Sequence, residues 1–192
     1  MSLRLTVLIV AVAAVPAAAQ QQSGAPKSPT AESVEKAAKI ASATSAAPAS
    51  ISAKATIADI GADGKMITLR AGTNGWVCLP DNPGTPKPDP MCADKAWQEW
   101  MQAWMAKKTP APKQIGIAYM LAGGSDASNS DPFASKPAAG ADWVNTSAHT
   151  MVLLPDPKQL DSYPSDPKSV GPFVMFKGTP YAHLMVPASG AP

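Results

Sequence analysis

Proline sets the narrowest limits on how this chain can fold. The sequence contains 21 prolines among 192 residues, about twice the usual frequency. Proline lacks a backbone N–H and has a fixed φ angle, so it interrupts helices and is excluded from the middle of sheets. The prolines concentrate in residues 80–90 and residues 155–187. We therefore expect many loops, short strands and few long helices.

The first 19 residues have the pattern of a secretory signal peptide. Arg4 provides a positive charge, residues 5–15 are apolar, and a run of three alanines ends at Ala19, before Gln20, as in an Ala-x-Ala cleavage site. The apolar run is too short to span a bilayer. The sequence predicts a protein exported to the periplasm or secreted, with retention of this segment as an anchor as the alternative.

The chain has two cysteines, Cys78 and Cys92. An oxidising compartment favours a disulfide between them, across a segment, 79–91, that contains five prolines. Because no Cys-x-x-Cys motif is present, we expect a structural crosslink rather than a redox site. In the chain-entropy model, closure of a loop of this size stabilises the fold by about 3 kcal/mol.

Charge and composition indicate one domain without a nucleic-acid partner. The chain has 16 Lys and Arg and 14 Asp and Glu, so removal of the signal leaves a net charge of about +1, too little to favour nucleic acid or an anionic membrane. The predicted organisation has four parts: a signal peptide at 1–19, an Ala/Ser/Pro-rich leader or tether at 20–50, a single globular domain at 51–187 and a tail at 188–192. Within the leader, residues 31–43 can form a loosely docked helix.

One helix and several strands are predicted in the globular domain. Apolar residues recur at helical spacing over residues 93–108, on a stripe formed by Trp97, Trp100, Met101, Trp104 and Met105. Such a stripe is typical of a face buried on a sheet, with a sugar-stacking platform as the alternative. Strands are predicted at 55–60, 65–70, 115–121, 149–154, 173–176 and 181–186, the first two as a hairpin around Asp63-Gly64. This pattern indicates an α+β fold with a small, largely antiparallel sheet, one main amphipathic helix, many proline-rich loops and one disulfide.

Several segments resemble those of small exported bacterial proteins of uncharacterised function. The similar segments are residues 75–81, 89–92, 119–121, 125–132 and 179–185. The resemblance spans about residues 51–187 and implies a common exported domain held by one disulfide. It implies no activity, cofactor or site residue.

The pattern His-x-Met occurs twice, as His149-Thr150-Met151 and His183-Leu184-Met185. Residues two apart on a strand face the same side, so each copy presents an imidazole beside a thioether. These groups suit a soft metal such as Cu(I), and they survive an oxidising compartment. If the two strands are neighbours, all four side chains share one face, where Met120 and Met175 from other strands can join them. The alternative is that the Trp-rich helix covers this face and leaves hydrogen-bonded core histidines and ordinary core methionines.

A serine hydrolase is the enzymatic alternative. Gly123-Gly124-Ser125-Asp126-Ala127 follows a predicted strand and partly matches a nucleophile elbow, and either Asp156 or Asp166, and then His183, follow in suitable order. Alanine replaces the final glycine of that motif, and the polar segment after Ser125 is unsuited to begin a helix. The sequence therefore favours a non-enzymatic binding or interaction domain with Cu(I) as the most specific ligand, and the natural partner, protein or small molecule, stays open.

Overall fold

A mixed sheet of eight strands forms the centre of the computed structural model, which describes residues 30–169 and 171–188. The strands in chain order are β1 (Thr56–Ile60), β2 (Met66–Arg70), β3 (Val77–Leu79), β4 (Met91–Ala93), β5 (Gly116–Met120), β6 (Gly124–Asp126), β7 (Val144–Thr146), β8 (His149–Leu153), β9 (Phe173–Met175) and β10 (His183–Pro187). Their order in the main sheet is β2-β1-β3-β4-β5-β8-β10-β9, while β6 and β7 form a separate two-stranded sheet. The predicted signal peptide at 1–19 and most of the predicted tail lie outside the described residues.

The sheet is larger than the small sheet predicted from the sequence. All its neighbouring strands are antiparallel except β1 and β3, which are parallel. The α+β class and the largely antiparallel character are confirmed. The extra size comes from the three-residue strands β3 and β4, which are too short to show a clear alternation in the sequence.

The predicted hairpin is present as β1 and β2. Gly64 has a φ of +75°, a conformation that glycine adopts without strain, and the Asp63 carboxylate accepts a hydrogen bond from the Lys65 N–H. The hairpin forms one edge of the main sheet. Its turn residues therefore act as the sequence pattern predicts.

Helix α1 (Ala31–Ser45) packs against one face of the sheet, and the short helix α2 (Ala49–Ser52) follows it. The side chain of Thr30 caps α1 by accepting a hydrogen bond from the Ser33 N–H. Ala43 is fully buried in the same cluster as Ile57 and the two cysteines. Because alanine is small, the helix backbone approaches this part of the sheet closely. The leader thus contributes a docked helix to the fold.

The disulfide Cys78–Cys92 joins two neighbouring strands of the sheet. The two cysteines are partners in the register of β3 and β4, and both are fully buried. The crosslink predicted from the sequence is therefore present. It closes the proline-rich loop, residues 80–90, at one end of these strands.

Helix α3 (Lys95–Met105) is shorter than the predicted 93–108 helix. It begins after Asp94 because that carboxylate caps the helix, accepting from the Trp97 N–H, while β4 occupies the preceding residues. The second oxygen of Asp94 accepts from the Ile117 N–H at 2.7 Å, which ties the helix start to β5. Lys107, with a φ of +52°, ends the helix in a left-handed conformation.

The helices α1 and α3 pack into separate hydrophobic clusters, on opposite sides of the sheet. The α3 cluster joins helix residues to side chains of β5, β8, β9 and β10 and includes Trp97, Trp100, Met101, Met151, Met175 and Met185. In the part of the chain that the structure covers, no helix is long and apolar enough to cross a membrane.

Candidate ligand cavity

The two His-x-Met motifs lie on neighbouring antiparallel strands and on the side of the sheet that faces α3. The register places Met151 of β8 directly opposite Met185 of β10, and His149 opposite Pro187. Because the strands run in opposite directions, the two motifs are related by a local twofold axis at the methionine pair. The methionines are therefore adjacent, whereas His149 and His183 lie beyond opposite ends of the pair. The four side chains do not converge on one point.

Further methionines extend this face across the neighbouring strands. Met120 of β5 is the register partner of His149, and Met175 of β9 is the register partner of His183. Continuing the pairing of β4 with β5 by one residue places Met91 level with Met120. The expectation that Met120 and Met175 join the motifs therefore agrees with their positions in the sheet. Met91 is an additional member of the same face.

Helix α3 covers one end of this face. Gly116 makes the approach possible, since a Cβ there would lie 3.1 Å from the Ala96 Cβ and 3.2 Å from the Trp97 ring. The rings of Trp97 and Trp100 lie nearly perpendicular to the His183 ring, with centroids 5.1 and 5.6 Å away. This is the covered arrangement expected of core histidines. At the other end of the face, the methionines of β4 and β5 border open space.

A cavity of about 510 Å³ occupies that space. It lies between the sheet, α3 and the segment 125–135, and we call it the methionine cavity. Its lining combines four thioethers, one imidazole and five aromatic rings: Met91, Met120, Met151, Met175, His183, Trp97, Trp100, Trp104, Trp143 and Phe176. Of the four residues of the two motifs, Met151 and His183 line the cavity, whereas His149 and Met185 are buried beside it.

Both histidines make the same backbone hydrogen bond. The Nδ1 atom of His149 lies 2.7 Å from the carbonyl oxygen of Ser147, and that of His183 lies 3.0 Å from the carbonyl oxygen of Tyr181. Since a carbonyl oxygen only accepts, Nδ1 carries the proton in each ring and Nε2 carries the lone pair. Burial lowers the pKa of His183 from 6.5 to about 4 and also lowers the pKa of His149. Both rings are therefore neutral at neutral pH.

The Nε2 atoms of both histidines are buried and have no hydrogen-bond partner among the described residues. The same is true of the indole nitrogens of Trp97 and Trp100, which line the cavity. An unpaired buried polar group costs about 1–3 kcal/mol, so native structures rarely contain several together. Histidines that only fill a core usually have both ring nitrogens hydrogen-bonded. The clustering of unpaired nitrogens indicates that a ligand or ordered water completes this region.

The opposite end of the methionine cavity is acidic. Asp89, Asp126 and Asp131 line it, and no lysine or arginine does so among the described residues. Burial, and secondarily the charge of Asp89, raise the pKa of Asp126 from 3.8 to about 6. Burial also raises the pKa of Asp89, although the Asn82 N–H and the Thr85 hydroxyl donate to its carboxylate. The cavity thus has a thioether and imidazole end and a carboxylate end.

The groups required for a serine hydrolase are not assembled. The Ser125 hydroxyl donates to the Asn145 side chain at 2.6 Å, and within the described chain no hydrogen bond links it to His183. The Asp156 carboxylate instead caps a short 3-10 helix (Pro157–Leu160) by accepting from the Lys158 N–H, and the Asp166 carboxylate accepts from the Lys168 N–H. His183 is oriented by a backbone carbonyl rather than by a carboxylate. The order of these residues in the sequence therefore does not correspond to a triad in the structure.

The described residues also contain no group of three or more His, Cys, Asp or Glu side chains placed to hold a metal ion. A metal site here consequently depends on methionine. No local sequence pattern marks Asp89, Met91 or Trp143 as site residues, because their shared position follows from the strand order. No protein-family model, no curated protein and no solved structure matches this chain.

Proposed function

We propose that the chain is an exported, non-enzymatic binding protein that holds Cu(I) in the methionine cavity. The proposed ligands are the Nε2 atom of His183 and the thioethers of Met151 and Met175. The observation that carries the proposal is the unpaired, buried Nε2 of His183 on a face where four methionines, among them the buried Met151 and Met175, line one cavity.

The backbone hydrogen bond of His183 suits a metal ligand. Protein histidines that bind metals usually donate the other ring N–H to a carbonyl or carboxylate, which fixes the tautomer and the ring orientation. The Tyr181 carbonyl provides this contact. Because the ring is also neutral at neutral pH, no proton needs to leave before Nε2 binds a metal.

The neighbouring thioethers favour Cu(I) over harder cations. Met175 is directly opposite His183 in the sheet, and Met151 is diagonal to it, next to Met185. Side chains opposite one another have Cβ atoms about 5 Å apart, and diagonal ones about 7–8 Å apart, within reach of a flexible methionine. Soft thioethers select Cu(I) over Mg²⁺ or Ca²⁺. The aromatic rings around this end keep water away from the ion.

Anaerobic titration of Cu(I) against a chromogenic chelator tests the proposal. We expect one tight equivalent, with affinity weakened at least about tenfold, or about 1.4 kcal/mol, by His183→Ala and by Met175→Leu. Met66→Leu is the matched control, since Met66 lies on the far edge strand and is 44% exposed. Equal affinity in the wild type and His183→Ala would contradict the proposed site.

Export is proposed from the signal-like segment at 1–19 and is compatible with the disulfide. N-terminal sequencing of the mature protein should find Gln20 first. A mature chain that retains Met1 would instead support an anchored form.

A further inference from the structure

The methionine cavity is much larger than a bound Cu(I) ion requires. Its volume is about 510 Å³, whereas a water molecule occupies about 30 Å³ of liquid. Cavities of about 300–1,000 Å³ typically hold small organic ligands. We propose that the carboxylate end binds a protonated organic amine with an apolar body. The carboxylates that would hold the amine, Asp89 and Asp126, are not among the proposed Cu(I) ligands, and amine binding does not depend on Cu(I).

No lysine or arginine among the described residues lines the carboxylate end. Asp126 is partly buried, and within the described chain its carboxylate forms neither a hydrogen bond nor an ion pair. Asp89 lies close enough to affect its charge. The ion pairs found between described residues involve Lys39 and Lys65, which do not line the cavity. An ammonium group placed between Asp89 and Asp126 would supply the missing charge and the missing hydrogen-bond donors.

Aromatic and thioether side chains provide the surface for the apolar body. Trp100 and Trp104 are stacked, with ring centroids 6.4 Å apart and planes inclined by 10°. The Trp104 indole N–H donates to the Pro132 carbonyl at 2.7 Å, which fixes this ring at the cavity wall. Tryptophan faces attract cations, and methionine adapts to irregular ligand shapes. The wall therefore suits a cation that carries an apolar group.

A second, independent observation indicates a ligand here. Trp100 is 7% exposed, and its indole N–H is buried without an acceptor among the described residues, although the side chain lines the cavity. A hydroxyl or carbonyl oxygen on the ligand would satisfy this donor. The inferred ligand class is accordingly an amine with an apolar body and one oxygen acceptor.

Tyramine and its neutral counterpart tyrosol form a matched pair of probes, because they differ only in an ammonium group and a hydroxyl group. Binding to the copper-free protein at pH 7.5 is measured by titration calorimetry. At this pH the Asp126 carboxyl, with a pKa of about 6, is ionised. We expect tyramine to bind at least about tenfold more tightly than tyrosol, or about 1.4 kcal/mol.

Asp126→Asn should remove most of the preference for tyramine and leave the tyrosol affinity unchanged. Asp142 is an exposed carboxylate outside the cavity, so the control variant Asp142→Asn should leave both affinities unchanged. His183→Ala should retain tyramine binding while losing Cu(I), so failure of one proposal is distinguishable from failure of the other. Circular dichroism establishes that each variant is folded. Equal affinities for the two probes, no binding of either at millimolar concentration, or an unchanged preference in Asp126→Asn would overturn the proposal.

Discussion

Replacement of Asp126 by asparagine should stabilise the protein, and only at pH values above about 4. Asparagine has nearly the shape of a protonated aspartic acid but cannot ionise. In the folded protein the carboxyl pKa is raised from 3.8 to about 6, mainly by burial and secondarily by Asp89. The native state therefore binds a proton more tightly than the unfolded state does. Stability at this site is highest at low pH and falls as pH rises from about 4 to about 6.

The size of the expected stabilisation follows from the difference between the pKa values of Asp126 in the folded and unfolded states. A pKa difference of about 2, at about 1.4 kcal/mol per pKa unit, corresponds to a cost of about 3 kcal/mol for ionising Asp126 in the folded protein. Asp126→Asn removes this cost. The variant should be more stable than the wild type by about 3 kcal/mol at pH 7–8 and equally stable below about pH 4.

The lowered pKa of His183 makes the stability of the wild type change with pH in the opposite direction. Burial lowers that pKa from 6.5 to about 4. The stability that the buried, neutral His183 contributes is therefore fully present above about pH 6.5 and is lost as pH falls through about 4. The loss is about 3 kcal/mol and largely offsets the gain from Asp126 over the same range. The stability of Asp126→Asn should consequently fall more steeply with acid than that of the wild type.

Urea denaturation of the copper-free, ligand-free protein at pH 4, 5, 6, 7 and 8 provides the measurement. The observable is the difference in unfolding free energy between Asp126→Asn and the wild type, because effects common to both cancel. Asp142→Asn, an exposed carboxylate, controls for the loss of one negative charge. A difference that is independent of pH, or that is larger at pH 4 than at pH 8, would refute the reasoning.

Two further predictions concern packing and the crosslink. Trp100→Ala should reduce the unfolding free energy by about 3–5 kcal/mol, because Trp100 is only 7% exposed. Trp104 is 37% exposed, so Trp104→Ala should cost about 1 kcal/mol. Urea denaturation measures both variants, and equal costs would contradict the assigned burial. Thiol titration of the denatured, non-reduced protein should find neither Cys78 nor Cys92 free. Reduction of the disulfide should lower the unfolding free energy by about 3 kcal/mol. Two free thiols in protein from its natural compartment would show that the crosslink does not form there.

The sequence predicted those helices and strands whose own residues show a clear periodicity or are joined by a recognisable turn motif. The Asp63-Gly64 turn identified the first hairpin, and the repeat of Trp97 and Trp100 identified α3, because each signal lies within a few residues of sequence. The strands β3, β4, β6 and β7 have three residues each, so alternation cannot distinguish them from loops. Their formation depends on pairing with distant strands.

The candidate site was predictable only in part for the same reason. The His-x-Met spacing identified Met151 and His183, since the strand period alone places the two side chains of a motif on one face. The opposed positions of the two imidazoles depend on the register of β8 and β10, which the sequence left open. The acidic end requires Asp89 and Asp126, which are distant in sequence, to line the same cavity. No local sequence pattern predicts this.

The position of β10 in the sheet has a consequence for how the protein folds. It is last in the chain among the described strands, yet it inserts between β8 and β9. Until it does so, β8 has an unpaired edge, β9 has no partner strand, and His183 is absent from the site. Pairings between distant segments form slowly, and unpaired strand edges promote aggregation. The interval before β10 inserts is therefore when the chain is most vulnerable to misassembly.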